Sequence, residues 1–259
     1  MKSLAPLLAP VIGVTLLWSP LATAQQTPAP PAAAAVAPDV DPQVVQALRR
    51  MGAYLGSMPT FAILADTTID DVMNNGQKVQ MGGQVLYHVR RPNGLAIELV
   101  TDRKVRQFYY DGKSLTVFAP RLGLYATVPA PATIAGTLAL AYDKYDIVLP
   151  LADLFTWSDA NIGRADALRS ATYVGYARIN GVDTDQYAMR EDGVDWQVWI
   201  RRGDKPLPVK VAIVSVTDPT QPQYTTNLTW EENPKYTDAT FKFDEPKGAH
   251  RIEIVEVEN

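Results

Sequence analysis

The chain has 259 residues, a formal net charge of −4, no cysteine and two histidines. The weakly acidic balance gives no electrostatic case for nucleic acid or for an anionic membrane surface. The missing thiols exclude disulfides and lipid attachment at a cysteine.

Residues 1–24 read as a cleaved secretory signal. Lys2 gives the positive start, Leu4 to Trp18 the apolar stretch, and Ala22-Thr23-Ala24 the small-x-small cleavage pattern. Pro6, Pro10 and Pro20 interrupt the stretch, which falls short of the ~20 apolar residues a membrane span needs. A mature chain without a membrane span, localised to the periplasm, is expected. Residues 25–40 are rich in Pro and Ala and read as a disordered linker, with too little to bury against its ordering entropy.

Residues 41–259 read as a single domain. Asp41-Pro42 is a helix start, and Val44, Leu48, Met51 and Leu55 follow as one apolar stripe, ended by Gly56 and Pro59. Between Thr60 and Val128 the period changes to two. Val85, Tyr87 and Val89 alternate with Leu86, His88 and Arg90, and Leu95, Ile97 and Leu99 with Ala96, Glu98 and Val100. Asn74-Asn75-Gly76, Pro92-Asn93-Gly94 and Asp111-Gly112 supply the turns of an antiparallel meander. A helix is expected over Pro131–Tyr142, apolar on all sides and therefore buried. A short helical piece follows at Leu149–Phe155. Strands resume at Tyr173–Ile179, Thr184–Arg190, Val194–Arg201, Leu207–Thr217 and Tyr224–Glu231, with Asn180-Gly181 and Asp192-Gly193 as hairpin turns. Phe241 and Phe243 are expected on one face of a last strand. The fold class is α+β, mostly antiparallel β: about ten to eleven strands forming an incomplete, half-open β-barrel. The N-terminal helix and the helical insertion cover it.

No catalytic signature is present. His88 and His250 lack partners at metal-ligand spacing, no G-x-S-x-G turn occurs, and Gly82-Gly83 lacks the rest of a phosphate loop. Carboxylates at Asp70-Asp71, Asp153, Asp159 and Glu231-Glu232 leave a two-carboxylate hydrolase as the one enzymatic option. Non-enzymatic function is the primary expectation, with no cofactor and no metal. The aromatic run Phe108-Tyr109-Tyr110, continued by Phe118 and Tyr125, puts large rings on both faces of a hairpin. Two readings follow: the rings simply pack on a pleated sheet, or one set lines a cavity rather than filling a core.

Tyr110 to Pro120 (Y-D-G-K-S-L-T-V-F-A-P) and Leu124 to Pro131 resemble a family of predicted periplasmic proteins catalogued as domain of unknown function 2092. So do Leu149 to Leu154, Asp195 to Ile200, Pro206 to Lys210, and Phe241-Lys242-Phe243 with Pro246 and Gly248-Ala249. These segments lie in order along most of the domain. The family is similar to the LolA-like fold, an incomplete antiparallel barrel closed by helices around a hydrophobic cavity, whose members carry or sense lipids and lipidated proteins. The resemblance implies an apolar-ligand cavity but no substrate; a lipid or acylated peptide, or an envelope protein, is the expected partner. It brings no catalytic residues. Asp185 to Met189 departs from the pattern, which has a histidine-containing strand there. Candidate ligand-binding residues are Val85, Tyr87, Leu95, Ile97, Leu115, Val117, Trp196 and Val198 on the concave face, with Ile134 and Leu138 on a covering helix.

Overall fold

The computed structural model describes residues 39–156 and 167–257. The expected signal and most of the expected linker lie outside the described residues, as does Asp159. Asp39–Val40, at the linker's end, form a short strand β1, and α1 spans Pro42–Ser57. Asp41 caps α1 by accepting from the Gln43 backbone N–H at 2.8 Å, with Pro42 in the first turn. Val44, Ala47, Leu48, Met51 and Leu55 form its buried stripe.

The first meander comprises β2 (Thr60–Val72), β3 (Lys78–Arg90), β4 (Gly94–Thr101), β5 (Val105–Tyr110), β6 (Ser114–Ala119) and β7 (Leu124–Pro129). Helices α2 (Ile134–Tyr145) and α3 (Asp153–Thr156) intervene. The second meander is β8 (Ser170–Ile179), β9 (Val182–Glu191), β10 (Val194–Arg201), β11 (Pro208–Ser215) and β12 (Gln223–Glu232), and β13 is His250–Arg251. The β8–β9 turn has Asn180 at φ 48° and Gly181 at φ 82°, the left-handed pair that a two-residue hairpin of this twist requires.

Among the described residues all strands join one 13-stranded sheet in the order β1-β8-β9-β10-β11-β12-β2-β3-β4-β5-β6-β7-β13. The two meanders meet where β12 runs antiparallel to β2, from Tyr224 opposite Ile69 to Glu232 opposite Phe61. The strand count exceeds the sequence expectation because β1 and β13 add two-residue parallel edges, too short to carry any alternation. The edges do not pair with each other among the described residues, so the sheet is not closed. A flat sheet of this size would be ~58 Å across at ~4.8 Å per strand, against ~24 Å for α1 at ~1.5 Å per residue. One contiguous core nevertheless joins Ala171 and Met189 at one end of the sheet to Leu115 at the other. The sheet therefore curls around its helices.

Two details depart from the sequence reading. α2 is not buried all round: Ile134, Leu138 and Ala141 face inward, while Tyr142 is 59% exposed. Small Ala139 is tolerated at the surface, so an apolar composition did not demand burial. Phe241 and Phe243 do not form a strand. Asn233 takes φ 59° and Pro234 follows, ending β12, and Asp238–Phe241 is a 3₁₀ turn. This segment crosses the outer face of the sheet. Tyr236 stacks edge-on with His88, Phe241 lies under Arg90, and Phe243 sits among Tyr109, Phe118 and Tyr125. Rings on both hairpin faces thus serve two packed layers: Phe108 and Tyr110 the inner core, Tyr109 and Phe118 the C-terminal cover.

Candidate functional site

The inner face is built by alternation. Odd positions of β2, β3, β4 and β6 and even positions of β5, β10 and β12 share it, as the register dictates. Across it run rows such as Ile63–Tyr87–Ile97–Phe108–Val117. Val85, Tyr87, Leu95, Ile97, Leu115, Trp196 and Val198 lie in one buried cluster with Ile134 and Leu138 of α2, and Val117 packs against it. The structure thus brings all ten candidates to one side of the sheet. The Trp196 indole N–H donates to Glu191 at 2.9 Å, at the β9–β10 end of the face.

Phe155 of α3 sits 6.3 Å, ring to ring, from both Phe61 and Tyr87, and Trp230 lies 5.7 Å from Phe61. Two phenols rise from the sheet and fasten the covering segment at its ends. The Tyr110 hydroxyl donates to the Pro131 carbonyl at 2.6 Å, and the Tyr87 hydroxyl donates to the Pro150 carbonyl. Burial pushes Tyr87 well above the usual tyrosine range and Tyr110 upward too, so both remain donors at neutral pH. The segment between them carries α2.

α1 is held differently. Glu232 accepts from Lys205 at 2.8 Å, Tyr54 at 2.7 Å and Arg201 at 3.0 Å, tying α1 to β12 and to the β10–β11 turn. Its carboxyl is lowered from 4.5 to about 2, by Lys205 first and then by Tyr54. The folded state therefore favours ionised Glu232. Its contribution is complete above pH 4.5 and is lost as pH falls towards 2. Glu232→Gln is expected to cost about 1–2 kcal/mol at pH 7 and to flatten the decline in melting temperature between pH 5 and pH 3. A variant that melts like the parent at both pH values would refute this anchor.

The carboxylate pairs do not form couples by adjacency, since neighbours on a strand face opposite ways. Asp71 pairs with Arg103 at 3.0 Å, and Asp70 lies 3.7 Å from Lys78. His88 sits half-buried on the outer face beside the Tyr236 hydroxyl at 3.1 Å, and burial lowers its pKa. His250 lies in β13. The strand that departs from the family pattern is β9, where Asp185 pairs with Arg202 at 3.2 Å. A cleft of about 180 Å³ opens there, lined by Arg50, Tyr187 and Arg202 among others, and one of about 350 Å³ lies by Arg90, Lys113 and Lys242. Neither is lined by any of the ten candidates.

Sequence reasoning missed Thr226 and Tyr224 on the inner face of β12. Thr226 is fully buried, and among the described residues neither its hydroxyl nor that of Tyr224 has a well-formed hydrogen bond. The signal was available: a threonine stands at 226, where the alternation through Leu228 and Trp230 asks for an apolar side chain.

Residues 44–255 match the family described as predicted periplasmic protein, domain of unknown function 2092. The chain belongs to this family. No curated protein matches its sequence. Among solved structures it is similar to the lipoprotein LppX of Mycobacterium tuberculosis, with 13% identity and a TM-score of 0.47, covering 75% of this chain and 98% of that one. An uncharacterized conserved protein from Thermus thermophilus gives 10% identity and 0.46, covering 82% and 99%. A LolA superfamily protein from Nitrosomonas europaea gives 10% and 0.33, covering 77% and 97%. Likenesses at these scores assign no ligand or partner to this member of the family. Among its described residues no helix is long and apolar enough to cross a membrane.

Proposed function

We propose that this family member is a periplasmic binding or carrier module for a hydrophobic ligand, a lipid or acyl chain, held between the curled, half-open sheet and its helices. The observation that carries the reading is that large apolar side chains continue along the inner face past its cover, as far as the Asp71–Arg103 ion pair at its rim. Ile69 and Val79 share the face with Ala65 and Val85 and are 50% and 36% exposed. A sheet serving only as scaffold would turn polar where its cover ends. Each sheltered methylene contributes ~0.8 kcal/mol, so ten carbons supply a gross ~8 kcal/mol before association and ordering costs. Export through a cleaved signal at residues 1–24 belongs to the same proposal.

The test is fluorescence titration of the mature protein with N-phenyl-1-naphthylamine, followed by displacement with palmitic acid. Saturable one-to-one binding that the fatty acid reverses is expected. A linear signal with no saturation would overturn the reading.

A second reading, a protein-interaction or envelope-stress sensing module, has its own observation. Beyond its pairing with β1, the outer edge of β8 from Thr172 to Ile179 is unpaired among the described residues, with Tyr173, Val174 and Tyr176 exposed. Such an edge accepts an added strand.

A further inference from the structure

Towards the β2–β3 hairpin the inner face changes chemistry in one step. The row Ala65–Val85 is apolar, with Leu228 beside it on β12. The next row places Val198, Val211, Thr226, Thr67 and Gly83 side by side, and the one after it Trp196, Ile213, Tyr224, Ile69 and Met81. Neither row contains a charged side chain.

Three hydroxyls thus enter an apolar surface, and they are not equally satisfied. Thr67 Oγ1 donates to the Gly83 carbonyl at 3.0 Å. Thr226 has no exposed surface, and among the described residues its Oγ1 and the buried Tyr224 hydroxyl have no well-formed hydrogen bond. The Tyr224 and Thr226 hydroxyls are close neighbours, and Thr226 lowers the Tyr224 phenol as a weak hydrogen-bond partner, but the pair falls short of a well-formed hydrogen bond. A buried hydroxyl without a partner destabilises the fold, and two adjacent ones on a central strand favour a ligand that brings them an acceptor. They stand where the covered half of the face meets the open half, because Ile69, directly across from Tyr224, is 50% exposed.

We propose that Tyr224 and Thr226 form a polar anchor inside the apolar site, and that it takes a neutral carbonyl oxygen, ester or amide, attached to the ligand's hydrocarbon chain. This rests on the hydrophobic-ligand reading above and names the ligand's chemical class. Burial pushes the Tyr224 phenol up to about 12, so it stays protonated and donates. A carboxylate or phosphate would lie unpaired on two uncharged rows at a cost of several kcal/mol. A carbonyl places one acceptor between two donors. An acyl glyceride and an acylated peptide both carry that group.

The test compares 1-palmitoylglycerol with 1-O-hexadecylglycerol, its ether counterpart without the carbonyl, by displacement of N-phenyl-1-naphthylamine from the mature protein. The ester is expected to bind about tenfold tighter than the ether. In Tyr224→Phe/Thr226→Val that ratio is expected to fall to about one, with Tyr224→Phe alone in between. N-palmitoylglycinamide tells the sources apart: tighter binding than the glyceride points to an acylated peptide, weaker binding to a lipid. Equal ester and ether affinities in the parent, or a preference that survives in the double variant, would overturn the anchor. If the fluorophore does not bind the parent at all, the hydrophobic-ligand reading itself fails, and the anchor with it.

Discussion

Val198→Asp is expected to abolish the folded domain. Val198 has no exposed surface and lies on β10 between Tyr187 of β9 and Val211 of β11. A carboxylate there meets no cation along its row and must either ionise in an apolar interior or take up a proton. Both routes cost several kcal/mol, added to the lost valine packing. Domains of this kind hold about 5–15 kcal/mol in total. Thermal melting followed by circular dichroism should show no cooperative transition for Val198→Asp. Val198→Ala should melt cooperatively, about 1–3 kcal/mol less stable. A Val198→Asp protein with the parent's melting temperature would mean that the inner face is not the core.

Leu138→Asp is expected to remove apolar-ligand binding while the domain stays folded. Leu138 points into the core from α2 and is 8% exposed, yet the helix also presents Tyr142 to solvent. α2 is a peripheral layer, fastened through Tyr110 to Pro131 and through Tyr87 to Pro150 rather than woven into the sheet. A carboxylate at 138 can reach water by lifting α2 slightly, which the strands of the sheet cannot do. It would still place a charge against the ligand's hydrocarbon, at a cost of several kcal/mol to binding. Fluorophore affinity should fall at least a hundredfold, with a cooperative melt retained. Unchanged affinity would show that α2 is not the cover of the site.

The fold was legible where local chemistry decides geometry. Asp41-Pro42 starts α1, Asn180-Gly181 turns β8 into β9, and alternation through Val85–Tyr87–Val89 marks β3. The face taken by the eight strand candidates was legible for the same reason, since alternation assigns a face, and an i, i+4 stripe put Ile134 and Leu138 on one side of α2. What could not be read was non-local. The pairing of β12 with β2 joins residues more than 150 positions apart, and no turn signal specifies it. The parallel edge strands Asp39–Val40 and His250–Arg251 are two residues each and take their conformation from their neighbours. The outer cover at Phe241 and Phe243 escapes a sequence reading because a two-residue alternation of rings looks like a strand, while Asn233-Pro234 and Pro246 break the ladder around it. The anchor at Thr226 was hidden differently. Alternation through Leu228 and Trp230 already puts this threonine on the apolar side, but a threonine is an ordinary strand residue, and only the structure shows its hydroxyl without a well-formed hydrogen bond among the described residues.

Native mass spectrometry of the mature protein, released gently from the periplasm and followed by organic extraction, tests the central claim most directly. The account predicts a stoichiometric adduct that extracts as an acyl lipid or acylated peptide. A protein that emerges empty, and that takes up neither fatty acid nor acyl ester when these are added, would contradict it.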